Sequence, residues 1–238
     1  MILKGELHMA TQPIYQFYCE LWDYNPKIWR RFQAPANTTI AKLCYILMTL
    51  YEMQGNHMFA ATVPVEENLK VFLKSSGTDS SNVKAFGPRE RRFEVPHEDI
   101  FSFAGYGDGE GDKPEDATAF KIKELLPHPG DQMLFEYDFG DSWEVAVRLE
   151  EIVIDKALPA KELPRVLAGE GYGIVEDCGG VGGLYDLSEA LQEGEGDAYD
   201  ELVEWLGCDT LDLGDFDLEQ KNRDLKRGPR FFKGIYEG

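Results

Sequence analysis

Carboxylates gather at two places where the surrounding residues could aim them. The first is Tyr137-Asp138-Phe139-Gly140-Asp141-Ser142-Trp143-Glu144. Met133, Phe135, Tyr137 and Phe139 alternate with polar residues, and Trp143, Val145, Val147 and Leu149 do so again after Gly140-Asp141-Ser142. Alternation on both sides of a glycine-bearing turn predicts a β-hairpin. With Phe139 opposite Trp143, a three-residue loop keeps all eight apolar residues on one face, and a slip of one residue would turn half of them over. That register sets Asp138 against Glu144 on the other face, where like charges repel. Solvent, a neighbouring Arg or Lys, a shared proton or a bound cation would each reconcile them, and Asp141 is near enough to join either of the last two. The plainer alternative is that Asp138 and Asp141 accept backbone N–H groups of the turn.

The second place is the glycine-rich run Gly173 to Gly183, in which Glu176, Asp177 and Cys178 offer two hard oxygens and one soft sulfur. Asp138, Asp141, Glu144, Glu176 and Asp177 are therefore the candidate ligands of a divalent cation, and His57, Trp143 and Cys178 the candidates for lining a pocket with them. The alternative is structural: Asp177 caps the following turn and Cys178 packs inside. No other cofactor is expected. Asp138-Phe139-Gly140 matches a kinase triplet, but the rest of that signature is missing. Gly-Lys-Ser/Thr, Gly-x-Ser-x-Gly and His-Glu-x-x-His are absent, and Asp108 to Asp116 lacks the order of a calcium loop.

The elements that must hold these residues read as strands first and helices last, which predicts an α+β fold, not a doubly wound parallel sheet. Residues 14 to 22 and Ile28 to Phe32 form two strands around Asn25-Pro26, the second sending Ile28, Arg30 and Phe32 to one side. A long helix follows from an N-cap at Thr38 or Thr39 to about Met53, with Gly55 as its stop. Met58 to Val65 and Leu69 to Leu73 read as short strands, Ser75 to Lys113 as long, partly mobile loops broken by short strands, with alternating Gly105, Gly107, Gly109 and Gly111, and Thr118 to Leu126 as a short helix. Helices over Leu184 to Gln192, Ala198 to Leu206 and Leu218 to Arg227 finish the chain. The expected organisation is a flexible segment 1–12 and a single largely antiparallel domain 13–238, built on hairpins, with an acidic helical lobe from about 183.

Charge narrows the function classes. The chain has 238 residues, 24 basic and 44 acidic, for a net charge of −20. Val166 to Gln220 holds 16 acids and no Lys or Arg. A field of that sign repels phosphate backbones, so direct nucleic-acid binding is not expected and a basic protein is the fitting partner. Arg30-Arg31, Arg89 to Arg92 and Lys226 to Lys233 would either gather into an anion patch or pair with the acidic stretch, and internal or intersubunit pairing is the expectation. Four cysteines without a Cys-x-x-Cys pair make no disulfide framework. Met1 to Gln12 is not a signal peptide, and no apolar run reaches the ~20 residues of a membrane span, so a cytoplasmic protein is expected.

Pro26 to Arg31, Gly55-Asn56-His57-Met58-Phe59, the hairpin Tyr137 to Glu144, Glu176-Asp177-Cys178-Gly179-Gly180, and Tyr199 to Gly207 with Phe216-Asp217 resemble, in order and spacing, the plasmid pRiA ORF-three-like family. The resemblance runs from Tyr15 to Leu225. Members are often labelled transposon-passenger, resolvase-like (TnpR) proteins. This chain departs from the family pattern at Val145, where a His is common, and at Ile174-Val175, where prolines are common. The lost His weakens a general base or metal ligand on the hairpin. Two functions follow. The one that asks least is a non-catalytic binding or adaptor protein of a plasmid or mobile-element context, whose acidic lobe meets a basic partner. The other is a divalent-metal-dependent hydrolase or phosphoryl-transfer enzyme built on the carboxylate cluster. Resolvase chemistry fits poorly, since neither a basic DNA-binding module nor an activated serine is identifiable.

Overall fold

The computed structural model describes residues 12–80, 87–96, 113–207 and 211–238. The expected N-terminal flexible segment (up to residue 11), the glycines from Gly105 to Gly111, His8, His97 and Cys208 lie outside them. Eight strands form one sheet: β1 (Ile14–Leu21), β2 (Trp29–Pro35), β3 (Phe59–Val63), β4 (Arg91–Glu94), β5 (Glu115–Asp116), β6 (Gln132–Tyr137), β7 (Trp143–Val153) and β8 (Arg165–Glu170). Their order is β5-β4-β3-β6-β7-β1-β2-β8, antiparallel throughout except for β4 beside β5. The helices are α1 (Ile40–Leu50), α2 (Val65–Ser75), α3 (Ile122–Leu125), α4 (Gly180–Glu193), α5 (Asp197–Leu206), α6 (Leu218–Asp224) and α7 (Gly228–Tyr236). The fold is α+β, as the order of strand-like and helix-like segments predicts.

Alternation builds the sheet. Tyr15, Phe17, Cys19 and Leu21 of β1 face the core with Val145, Val147 and Leu149 of β7, while Gln16, Tyr18 and Glu20 face outward. The outer face is polar and internally paired: Arg31 grips Glu150 with two hydrogen bonds (2.6 and 2.9 Å), and Tyr18 stacks on Trp29. On the inner face Thr39 starts α1, its side chain accepting the Lys42 N–H. Every residue of α1 except Lys42 is buried, so it is a core helix, with α7 packed against it. It is shorter than the expected run to Met53.

Arg30 points inward with Ile28 and Phe32, as the alternation of β2 requires, and is fully buried. Its guanidinium donates to four carbonyls, of Leu50, Trp29, Glu170 and Tyr172, at 2.6–3.0 Å, and lies over the rings of Tyr51 and Phe216. One side chain thus ties the end of α1 to β2 and to the glycine-rich segment beyond β8.

Several expectations are corrected. Leu69 to Leu73 is helical: Pro64 precedes the helix, Glu66 and Glu67 sit in its first turn and Lys74 in its last, which suits the helix dipole. The short helix near residue 120 covers only Ile122–Leu125. β8 and α7 were not anticipated, because prolines and glycines mask their patterns. The basic residues Arg31, Arg89, Arg91 and Arg92 do pair internally, yet with Glu150, Glu66, Glu115, Glu94 and Glu136 of the sheet and α2, not with the acidic stretch.

Candidate functional site

The hairpin pairs Tyr137 with Trp143 and Glu136 with Glu144, so the register differs from the expected one. The loop runs Asp138 to Ser142, and Phe139 leaves the apolar stripe for the surface. Asp138 and Ser142 both take left-handed conformations (φ 56° and 52°), which a five-residue loop accommodates and the three-residue count could not show. The repulsion falls on Glu136 and Glu144 instead. Arg92 relieves it, at 2.9 Å from Glu136. Glu144 therefore lies on the outer sheet face, apart from the other candidate ligands.

Asp138 Oδ1 accepts the Gly140 N–H (3.0 Å), closing the loop, while the Asp138 N–H donates to the Met58 carbonyl (2.9 Å). Asp141 reaches across to the glycine-rich segment, accepting the Gly179 N–H at 3.2 Å. Gly180 meets the same residue. It has φ +70°, and a Cβ there would stand 2.4 Å from the Asp141 carbonyl oxygen. Hairpin loop and glycine-rich segment are therefore docked backbone to backbone.

Docking delivers Glu176 and Asp177 to the turn that follows α1. Glu176 is buried, accepting the Gln54 N–H (2.6 Å), the Tyr137 hydroxyl (2.5 Å) and the Asn56 amide (3.3 Å). Tyr137 in turn accepts the Gly55 N–H. Burial, then the bond to Glu176, pushes the Tyr137 hydroxyl well above its ordinary range, so it serves as a donor. His57 sits among the carboxylates. Its Nδ1 lies 3.3 Å from Asp138 Oδ2, and its Nε2 lies 3.4 Å from Asp177 Oδ1 and 3.9 Å from Glu176 Oε2. Nε2 is shielded from solvent and makes no hydrogen bond of accepted geometry among the described residues. The Tyr236 hydroxyl donates to the His57 carbonyl, so α7 braces the turn from behind.

One ligand atom from each of His57, Asp138 and Asp177 falls within 4.8 Å of the others. Bonds of about 2.1 Å from one cation would space such donors by roughly 3–4 Å. One nitrogen and two carboxylate oxygens suit a borderline divalent ion such as Mn²⁺ or Zn²⁺, and Glu176 steadies the turn that carries His57 through the Gln54 N–H and the Asn56 amide. Of the residues expected from sequence, His57, Asp138, Glu176 and Asp177 come together, and Asp141 joins as a clamp on Gly179. Cys178 turns aside toward the Gly180 carbonyl, and burial with the nearby Asp141 charge pushes its thiol up to about 11. Trp143 is fully buried in the core. Sequence reasoning missed Asn56, Tyr236 and the hydroxyl of Tyr137. The last was counted as one more apolar residue of the stripe.

Fold and site define a two-layer α+β protein that collects an imidazole and several carboxylates at the turn of its central hairpin. The chain belongs to the plasmid pRiA4b ORF-3-like protein family, which residues 13–223 match. It is 27% identical over 191 residues to the uncharacterized protein y4hQ of Sinorhizobium fredii, covering 77% of this chain and 91% of that one. It is also similar to the crystal structure of a protein of unknown function, MM3350 from Methanosarcina mazei Go1. That likeness, of fold, has a TM-score of 0.64 at 24% identity over 88% of this chain and 97% of the other.

Proposed function

We propose that the protein binds a divalent cation through His57, Asp138 and Asp177, and that the cation activates water for hydrolysis or phosphoryl transfer. The observation that carries this reading is the convergence of one imidazole and two carboxylates from three separate segments, with the imidazole Nε2 shielded from solvent and without a hydrogen bond among the described residues. A cation held by three protein ligands keeps open positions for water and substrate, and lowers the pKa of that water. Asp141, Tyr137 and Glu176 hold the three ligands in place.

Elemental analysis of the purified protein and thermal unfolding with Mg²⁺, Mn²⁺, Ca²⁺ and Zn²⁺ test the reading. A cation at a hundred times its Kd stabilises the native state by about 2.7 kcal/mol, which for a chain of this size raises Tm by roughly 5–10 °C. His57→Ala and Asp177→Gly abolish the rise. Absence of both a co-purifying metal and a shift in the wild type would discard the proposal.

A second reading, the non-catalytic adaptor, is favoured by α5. None of its residues is buried, it carries Asp197, Asp200, Glu201 and Glu204, and Trp205 is 51% exposed. A basic partner complements such a face, and its capture weakens as salt rises; no salt-sensitive capture would leave α5 a solubility device. A plasmid or mobile-element setting agrees with the family, and the free thiols Cys19, Cys44 and Cys178 suit a reducing cytoplasm. Among the described residues no helix is long and apolar enough to cross a membrane.

A further inference from the structure

The segment Lys221 to Lys233 holds six bases and one acid, in a chain whose net charge is −20. The acidic stretch reaches it at Arg223 alone among the described residues, through the loose contacts with Glu219 and Asp217. Lys221 is buried against Glu52, and Lys226 donates to the Lys161 carbonyl. Arg223 reaches Gln220 and, more loosely, Glu219 and Asp217. Arg227 is exposed and has no ion pair or side-chain hydrogen bond among the described residues. Arg30 lies behind, bonded only to carbonyls, so its charge has no carboxylate partner in hydrogen-bond contact.

These cations border a cleft of about 760 Å³ between the end of α1 and the corner where α6 meets α7. Arg223, Lys226 and Arg227 line one side, and Met53, Phe231 and Phe232 give it an apolar side. Phe231 keeps 59% of its surface exposed, although the neighbouring Phe232 is buried. Gly228 sets how closely the walls approach, since a Cβ there would stand 2.4 Å from Thr49 Oγ1. The acids at the cleft are engaged, Glu52 by Lys221 and Asp224 by the Gln220 amide.

We propose that this cleft is a second ligand site, for a phosphorylated small molecule that carries a flat apolar portion. Arg223 and Arg227 grip the phosphate, a geometry the planar guanidinium matches with paired N–H donors. Phe231 receives the flat portion. The cleft is separate from the cation centre, and its occupant needs no metal.

Calorimetric titration of the full chain, in EDTA and at constant ionic strength, with adenosine 5′-monophosphate and with ribose 5-phosphate tests this. Both probes bind, the first more tightly. Removing a charge-assisted contact weakens binding by about tenfold, so Arg223→Ala/Arg227→Ala together weaken both probes by about a hundredfold. Phe231→Ala brings adenosine 5′-monophosphate down to the affinity of ribose 5-phosphate. The targeted side chains are exposed, so the variants fold, and unchanged Tm values check it. Asp177→Gly leaves the titrations as they are. Failure of the wild type to bind either probe, equal binding by the double arginine variant, or preference for a polyglutamate peptide over both probes would overturn the proposal.

Discussion

Gly180 and Gly182 are two positions apart at the start of α4, and the structure assigns alanine opposite consequences at each. Gly182 has an ordinary φ and open space where its Cβ would go. Gly182→Ala therefore exchanges a flexible residue for the best helix former and stabilises the protein by about 0.5–1 kcal/mol. Gly180 has φ +70°, where a Cβ costs about 1–2 kcal/mol before any contact is counted. Its Cβ would also stand 2.4 Å from the Asp141 carbonyl oxygen, about 1 Å inside normal contact. Backbone, not a mobile side chain, must give way. Adding the penalty of a forced backbone shift, about 1–3 kcal/mol, brings the loss to roughly 2–5 kcal/mol.

For a chain of this length 1 kcal/mol moves Tm by about 2–4 °C. Thermal unfolding should thus place Gly182→Ala about 1–4 °C above the wild type and Gly180→Ala at least about 4 °C below it. The shift that Gly180→Ala forces also parts Asp141 from Gly179 and moves Asp138 relative to Asp177, so the cation response falls with stability in that variant and persists in Gly182→Ala. Equal Tm values for the two variants would refute the docking of hairpin loop on glycine-rich segment, whatever either value is.

Arg30→Met removes four hydrogen bonds to carbonyls while keeping apolar bulk. Leaving buried acceptors unpaired costs about 1–3 kcal/mol each, so a loss of at least about 4 kcal/mol is expected, seen as a fall of more than about 1 M in the urea midpoint; a fall under half that size would show that water replaces the guanidinium. Asp131 is buried, and burial raises its carboxyl above the ordinary range despite the His128 N–H that it accepts. The native state therefore holds that proton more tightly than the unfolded chain, and the associated stability is present below the unfolded value and lost as pH rises through the native one. Asp131→Asn keeps an acceptor without the charge, so in denaturant titrations its advantage over wild type grows from about pH 3 toward neutrality; a flat difference would refute the assignment.

Local periodicity carried much of the fold. The two-residue alternation of Ile28, Arg30 and Phe32 put an arginine in the core, and the Thr39 cap follows from a hydroxyl ahead of an apolar helix. The hairpin was legible as a hairpin, but its register was not. Phe139 extends the apolar stripe in sequence, whereas the left-handed Asp138 directs it outward, a choice made by the docking of the loop on Gly179 and Gly180. β8 escaped because Gly169 looks like a strand breaker. In the structure a Cβ there would stand 2.7 Å from the Phe216 ring and the Trp29 carbonyl, so glycine is what lets that strand pair with β2 beneath Phe216. α7 escaped for a similar reason, with Gly228 seated on Thr49. At the site, the residue types were visible and their meeting was not. Periodicity reports faces of single elements, and the contact of His57 with Asp138 and Asp177 is made by three loops.

Five non-glycine residues among those described have left-handed backbones, and three of them, Asp138, Ser142 and Asp177, lie in the two loops that dock at His57. Each conformation costs about 1–2 kcal/mol in an ordinary residue, somewhat less for aspartate, whose side chain bonds locally. Asp138 recovers part of this through Gly140. Asp177 makes no such bond among the described residues and is largely exposed, so its strain is held by the Glu176 anchor on one side and the Asp141–Gly179 clamp on the other. That separates ligand function from scaffold function. Asp177→Gly relieves the strain and removes a ligand at once, so Tm without cation should rise slightly while the cation-induced increment disappears. A structural role for Asp177 requires the opposite pairing, a lower Tm with the increment intact.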